Sequence, residues 1–245
     1  MSIIRDFKPR LYQQTILDTC TKYSTLVILP TGLGKTAVAF LLAAHRFNSY
    51  PKSKVLILAP TKPLAEQHLV TLKKHMDLPE ENFVLFTGHV KPEKRAQLWD
   101  EKKVIISTPQ GLENDLISNQ VSLKDVSLIV FDEAHRAVGD YSYTFIAKQY
   151  DSQAKYPRIL ALTASPGSDM EKITEVCTNL HIEEIEIRTD KDPDVMPYIQ
   201  PMNMRWLEVD MPNELKDVQK YLKDCFNSKL KKVHDYGYVK RAQIQ

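Results

Sequence analysis

LVILPTGLGKT, residues Leu26–Thr36, is the stretch that decides the fold of this chain. An uninterrupted apolar run leads into a glycine-rich turn that ends in Lys35 and Thr36. Such a run is typical of a strand covered on both faces within a parallel sheet. The turn is typical of a phosphate-binding loop, because glycine lets backbone N–H groups approach phosphate oxygens closely.

Each position of this loop has a predicted role in binding ATP. Lys35 is predicted to reach the β- and γ-phosphates, and the hydroxyl of Thr36 to ligate Mg²⁺. The helix that begins at Lys35 adds the positive end of its dipole. The general loop pattern has a glycine where this chain has Leu29, so a chance Gly-Lys-Thr turn is the alternative for this segment taken alone. The predicted ATP-binding residues of the loop are Thr31, Gly32, Leu33, Gly34, Lys35 and Thr36.

LIVFDEAH, residues Leu128–His135, repeats the form of an apolar run with polar residues at its end. Asp132 is predicted to hold Mg²⁺ through the water shell of the ion. Glu133 is predicted to orient or deprotonate the attacking water, and Lys35, Asp132 and Glu133 are the predicted catalytic residues. An acidic pair that merely favours a helix dipole is the alternative.

His135 is interpreted as a hydrogen-bonding link between the hydrolysis site and neighbouring loops, with a purely structural histidine as the alternative. Ligands of open α/β sheets bind at the carboxyl ends of the strands. The two motifs are therefore predicted to converge on one triphosphate–metal pocket.

Strand-like and helix-like segments alternate along the chain, which predicts an α/β fold with a mostly parallel sheet and helices on both faces. The predicted strands are Thr25–Leu29, Lys54–Ala59, Phe83–Phe86, Val104–Ser107, Ser127–Phe131, Arg158–Thr163 and Glu184–Arg188. The predicted helices are Arg10–Thr21, Lys35–Phe47, Leu64–His75, Glu93–Glu101, Gln110–Ile117 and Asp169–Leu180.

Bulk composition excludes some classes of protein. No apolar run approaches the ~20 residues that span a bilayer, and no secretory signal opens the chain. Three cysteines without metal spacing predict reduced thiols, hence the cytoplasm of a prokaryotic cell or the nucleus of a eukaryotic one. The net charge of +2, from 33 Lys and Arg against 31 Asp and Glu, predicts no partner.

Further segments follow the predicted strands in a fixed order. They are Arg10–Gln13, Ala59–His68, Thr87–Gly88, Ser107–Gln110 and Thr163–Pro166. This ordered set resembles the first motor domain of the superfamily 2 helicases. The detail of Phe131–Gly139 and Leu162–Gly167 is similar to the archaeal Hef helicases and their FANCM relatives, with the RIG-I-like RNA translocases as more distant relatives.

The resemblance covers about residues 7–210 and implies a RecA-like domain over residues 1–203. Residues 204–245 are predicted to form a short strand, 204–209, and then the truncated start of a helical insertion. The apolar residues of that helix, Leu215, Val218, Leu222, Phe226 and Val233, fall close to one face. The chain is expected to be part of a larger protein.

The resemblance also implies roles for residues outside the two motifs. Arg10 and Gln13 would contact adenine, and Thr163 and Ser165, with His135, would couple hydrolysis to the grip on a strand. The implied contacts to the nucleic-acid backbone are Thr61, Lys62, Gly88, Thr108 and Gln110. Helix-surface positions are the alternative for the first pair, and ordinary turn chemistry for the other loops.

The implied function is that of an ATP-dependent DNA helicase or translocase acting on forked or branched DNA in repair and replication restart. The resemblance implies a second RecA-like domain in the same full-length chain. No segment after residue 190 resembles its arginine-bearing motif, so this chain alone is expected to hydrolyse ATP slowly or not at all. The alternatives are an RNA-directed relative, a P-loop small-molecule kinase, and a nucleic-acid clamp with a vestigial nucleotide site.

Overall fold

The computed structural model describes residues 3–88, 90–165, 170–199 and 206–238. The strands are β1 (Thr25–Ile28), β2 (Lys54–Leu58), β3 (Phe83–Phe86), β4 (Val104–Ser107), β5 (Val126–Asp132), β6 (Ile159–Thr163) and β7 (Glu184–Ile187). They form one seven-stranded sheet in the order β3-β4-β2-β5-β6-β1-β7. Every pairing between these strands is parallel, so their carboxyl ends share one edge of the sheet.

The helices are α1 (Leu11–Lys22), α2 (Lys35–Ser49), α3 (Lys62–His75), α4 (Pro92–Glu101), α5 (Pro109–Ile117), α6 (Ser142–Gln153), α7 (Met170–Asn179) and α8 (Asn213–Asp235). None of the helices in the described ranges is long and apolar enough to span a lipid bilayer.

Two apolar cores lie on the two faces of the sheet. Because side chains alternate along a strand, Val27 of β1 packs into one core and Leu26 into the other. Helices α1, α2 and α3 supply the first core, and α4 to α7 supply the second. The predicted α/β class, with helices on both faces of a parallel sheet, is confirmed.

Helix α6 is absent from the sequence-based prediction. Its buried residues Tyr143, Ile146, Ala147 and Tyr150 have the spacing of one helical face. The segment carries four aromatic or β-branched residues near its start, SYTFI, and these favour strands. Tertiary packing against the sheet overrides that preference.

The predicted strand over residues 204–209 is wrong where it can be checked. Residues 206–209 form no strand, and residues 204 and 205 lie outside the described ranges. Trp206, Leu207 and Val209 are all exposed, so the alternating pattern has no core face to bury.

The chain separates into two compact units, 1–199 and 200–245, whereas the predicted boundary falls after residue 203. The second unit contains α8, so the predicted C-terminal helix is present. None of the residues of α8 is buried, and the five apolar residues predicted to share one face are all exposed. The assignment of the two units as a motor domain and the start of an insertion stays a prediction.

Candidate nucleotide site

A cleft of about 300 Å³ opens at the carboxyl edge of the sheet. Its walls come from the loop between β1 and α2, from the end of β5, and from α3. The lining residues are Thr31, Gly32, Gly34, Lys35, Thr36, Leu64, Gln67, His68, Asp132 and Glu133. The phosphate loop and the acidic pair therefore face one cavity, as the strand pattern predicts.

The turn before α2 needs glycine at two positions. Gly32 and Gly34 have φ angles of +84° and +80°, which L side chains rarely adopt. A Cβ atom on Gly34 would also lie 2.6 Å from Nε2 of Gln13, whereas nothing lies within 4 Å of one on Gly32. Gly34 is thus fixed by both backbone conformation and space.

Lys35 is half-buried at the start of α2. Its Nζ donates a hydrogen bond to the carbonyl of Leu29, 2.9 Å away, across the turn. Burial lowers the pKa of Lys35, and the carboxylates of Glu133 and Asp132 oppose that shift. The ammonium group lies in a site where further negative charge would stabilise its charged form.

Asp132 is fixed by two contacts that the sequence does not predict. Its Oδ2 lies 2.8 Å from Nε2 of His68 on α3, and both side chains are buried. The hydroxyl of Tyr143 on α6 donates to the backbone carbonyl of Asp132 at 2.7 Å and lies 3.2 Å from that of Leu58. Because His68 is 64 residues away, only the folded topology reveals the first contact.

Glu133 has a left-handed backbone, with a φ of +52°. This conformation is uncommon for a residue other than glycine, and such residues cluster at functional sites. Its Oε2 lies 3.3 Å from Nδ1 of His135, and the same nitrogen lies 3.1 Å from Oγ1 of Thr163. Oγ1 of Thr163 donates to the carbonyl of Ser165 at 3.1 Å. The predicted coupling residues thus form a continuous series of polar contacts; Pro166 lies outside the described residues.

The two predicted adenine contacts both touch other protein groups. The amide Nε2 of Gln13, which is buried, lies 3.3 Å from the carbonyl of Leu33. Arg10 donates to the hydroxyl of Tyr12, and its guanidinium lies 4.9 Å from the ring centre of Tyr198. The segment therefore supports the phosphate loop directly. Its contact with adenine stays a prediction.

The residues predicted to contact nucleic acid follow β2, β3 and β4, three neighbouring strands of the sheet. Thr61, Lys62, Gly88 and Gln110 are exposed, and Thr108 is partly exposed. Since these strands end at the same edge as β1 and β5, this second group of loops lies on the same side of the sheet as the cleft. Their contact with nucleic acid stays a prediction.

A buried ion pair supports those loops. Arg95 on α4 makes two hydrogen bonds to Asp115 on α5, from Nε at 2.6 Å and from Nη2 at 2.5 Å. Its third nitrogen donates to the carbonyl of Val90, in the loop that follows Gly88. Hydrogen bonding to Asp115 raises the pKa of Arg95. Nothing in the sequence distinguishes Arg95 from an ordinary exposed helix arginine.

The cleft fits a magnesium ion bound together with phosphates. Mg²⁺ in such sites takes one or two protein oxygens and completes its shell with water and phosphate oxygens. Thr36 and Asp132 offer a hydroxyl and a carboxylate in one cavity. The described residues contain no group of three or more His, Cys, Asp and Glu side chains that could hold a metal alone.

Known proteins share both the sequence and the fold. The model of the DEAD/DEAH box helicase family matches residues 10–173. The solved structure of the Pyrococcus furiosus Hef helicase domain superposes with a TM-score of 0.78 at 48% identity, covering 96% of this chain and 50% of that one. The predicted RecA-like helicase fold and the resemblance to Hef are confirmed.

Two longer relatives add to this likeness. MJ1505 of Methanocaldococcus jannaschii, a protein named as an ATP-dependent RNA helicase, is 42% identical over 96% of this chain. The DEAD-box ATP-dependent DNA helicase Fancm of Drosophila melanogaster is 40% identical over 87% of it. The chain spans 30% and 15% of the length of these two relatives. The family model matches, the fold is shared, and the lysine loop and the acidic pair face one cleft. The chain therefore belongs to the DEAD/DEAH box helicases.

Proposed function

We propose that this chain is the first motor domain of an ATP-dependent DNA helicase or translocase that acts on forked or branched DNA in repair and replication restart. The observation that carries the proposal is the single cleft lined by Lys35, Thr36, Asp132 and Glu133. Its position at the edge that also carries the exposed loops after β2, β3 and β4 supports a motor that grips a strand. The likeness to Fancm of Drosophila melanogaster, which is named a DNA helicase, supports the choice of DNA.

In the proposed site, the backbone of Gly32–Gly34 and the ammonium of Lys35 bind the phosphates of ATP. Thr36 and Asp132 hold Mg²⁺, which neutralises charge on the phosphates when it is bound. Glu133 orients the attacking water and accepts its proton. The left-handed backbone of Glu133 supports this role, because uncommon backbone conformations cluster at functional sites.

Hydrolysis is coupled to strand grip through the polar contacts from Glu133 to Thr163. When the γ-phosphate leaves, the contact of Glu133 with His135 changes, and His135 also touches Thr163. Thr61, Lys62, Gly88, Thr108 and Gln110 contact the phosphate backbone of the strand, because exposed hydroxyls, amides and lysines do so without reading sequence.

The proposed partners are DNA and a second RecA-like domain of the same full-length chain, which supplies the arginines that complete the ATP site. An arginine supplied in this way is worth about 10³–10⁵ in rate, so residues 1–245 alone would hydrolyse ATP slowly or not at all. The proposed location is the cytoplasm of a prokaryotic cell, or the nucleus if the source is eukaryotic.

The choice between DNA and RNA needs its own experiment, because the relatives carry both names. The complete protein is assayed for ATP hydrolysis with forked DNA, linear duplex DNA and double-stranded RNA, with a Lys35→Ala variant as the blank. Stimulation by forked DNA above the other two supports the proposal. Stronger stimulation by double-stranded RNA would assign the protein to the RNA-directed relatives, which read the 2′-hydroxyl.

A further inference from the structure

His68 is a buried histidine that the sequence motifs do not assign to the chemistry. It lies on α3, is 4% exposed, and lines the cleft beside Asp132. Its Nε2 lies 2.8 Å from Oδ2 of Asp132. Its other ring nitrogen, Nδ1, is buried without a hydrogen-bond partner among the described residues.

The proton on this histidine can be placed from its neighbours. An ionised carboxylate only accepts hydrogen bonds, so Nε2 of His68 carries the hydrogen that joins it to Asp132. In the neutral ring, Nδ1 then has a lone pair that faces no donor within the described part of the chain. A buried polar atom without a partner is destabilising, and a hydrophobic residue at this position would avoid that burden. The hydrogen bond to Asp132 is therefore the polar interaction that offsets this cost.

We propose that His68 is a positioning residue for the divalent cation: it holds the carboxylate of Asp132 in the orientation that binds Mg²⁺ with the nucleotide. The inference rests on the proposed role of Asp132 in holding the cation. Partners that orient a metal-binding side chain typically contribute 10–100-fold to metal affinity. The same helix starts at Lys62, so one rigid element connects a proposed nucleic-acid contact to the metal-binding carboxylate.

Two variants of the complete protein test whether the hydrogen-bond donor of His68, rather than the size of its side chain, holds Asp132 in place. In His68→Gln, the side-chain amide places an N–H group at nearly the reach of Nε2, whereas in His68→Asn the amide stops short of Asp132. His75→Gln on the same helix is the matched control. His75 also has a buried Nδ1 without a partner among the described residues, but it stacks on Phe40 rather than facing the cleft.

The measurement uses Mn²⁺ as the probe, detected by electron paramagnetic resonance in the presence of a non-hydrolysable ATP analogue. We expect the dissociation constant of Mn²⁺ to rise about 10-fold in His68→Asn and to stay near the unmodified value in His68→Gln and His75→Gln. Affinity for a fluorescent nucleotide without metal is expected to be unchanged in all three. Unchanged Mn²⁺ affinity in a folded His68→Asn protein, or an equal loss in His68→Gln, would overturn the proposal.

A fourth variant separates this proposal from the one it rests on and covers a failure of His68→Asn to fold. Asp132→Asn alone is expected to weaken Mn²⁺ binding, and if it does not, the assigned role of Asp132 fails. If it does, His68→Leu, which has no donor and is expected to weaken Mn²⁺ binding by itself as His68→Asn does, is expected to change Mn²⁺ affinity no further when it is added to Asp132→Asn. An additional loss in that double variant would show that His68 acts on the cation by another route and overturn its positioning role.

Discussion

The candidate nucleotide cleft and the proposed nucleic-acid edge are built in opposite ways. The nucleic-acid edge consists of Thr61, Lys62, Gly88, Thr108 and Gln110. In the cleft, the functional side chains are held by the protein: Lys35 by a backbone carbonyl and Asp132 by His68. At the nucleic-acid edge, Thr61, Lys62 and Gln110 are exposed, and Lys62 pairs with the equally exposed Glu66 at 3.7 Å.

The difference follows from what each region is proposed to do. Chemistry on a phosphate gains most from groups that are fixed before the reaction starts, since they need no reorganisation. Contact with a sugar–phosphate backbone needs only exposed donors on a firm support. The edge has that support below its surface, in the buried pair of Arg95 and Asp115.

The largest expected effect comes from the carboxylate of Glu133, the residue that directly follows β5. Replacing Glu133→Gln in the complete protein is expected to lower the rate of ATP hydrolysis about 10³-fold, because the amide cannot accept a proton from water. Nucleotide affinity should be retained, as measured by fluorescence titration. Glu81→Gln, at an exposed position in the turn before β3, is the control; equal rates in the two variants would contradict the assignment.

The buried ion pair of Arg95 and Asp115 supports the nucleic-acid edge, and substitutions in this pair test that support. Arg95→Met is expected to lower the free energy of unfolding by about 3 kcal/mol, because it leaves the buried carboxylate of Asp115 without its partner. The double variant Arg95→Met, Asp115→Leu is expected to lose less, since no buried charge remains. Urea denaturation followed by circular dichroism measures both, and a double variant that loses more than the single one would refute this explanation.

Replacing one glycine in each region compares how tightly the two regions are packed. Gly34→Ala is expected to destabilise the protein by about 1–2 kcal/mol through its left-handed backbone, and further through the contact of the new Cβ with Gln13. Gly88→Ala at the nucleic-acid edge is expected to change stability by no more than about 0.5 kcal/mol, because nothing lies within 4 Å of its Cβ. Thermal melting measures the stability of both variants. Similar changes in melting temperature would contradict the expected difference between the two regions.

The smallest expected effect is at Lys62. Its pair with Glu66 is exposed on both sides, so Lys62→Ala should leave the melting temperature nearly unchanged. Loss of one phosphate contact is expected to reduce the slope of log affinity against log salt by about one. Nucleic-acid binding by the complete protein at several salt concentrations measures this, and an unchanged slope would remove Lys62 from the contact set.

Much of the fold follows from local patterns. Each of the seven strands is predicted within one residue at both ends. Most are recognised because buried parallel strands are continuous apolar runs, such as Leu26–Leu29 and Leu128–Phe131, whereas β7 alternates Glu and Ile and is mostly exposed. Convergence of the lysine loop with the acidic pair follows from strand direction alone. Helix α6 escapes prediction because Tyr143 and its aromatic neighbours favour strands locally, and only packing on the sheet makes the segment helical.

The supporting contacts of the site are the part that local pattern does not predict. His68 and Asp132, or Arg95 and Asp115, are far apart in sequence and become partners only when helices pack beside strands. The strand expected over residues 204–209 is absent from its described part, residues 206–209, which pair with none of the described strands.

The phenol of Tyr143 has a mechanical consequence. It spans the last carbonyls of two adjacent parallel strands, those of Leu58 and Asp132. Thr61 lies three residues after the first strand end, and Glu133 directly follows the second. Under the proposed roles, a pull on a nucleic-acid strand held at Thr61 would therefore reach Glu133 through a short series of hydrogen-bonded groups.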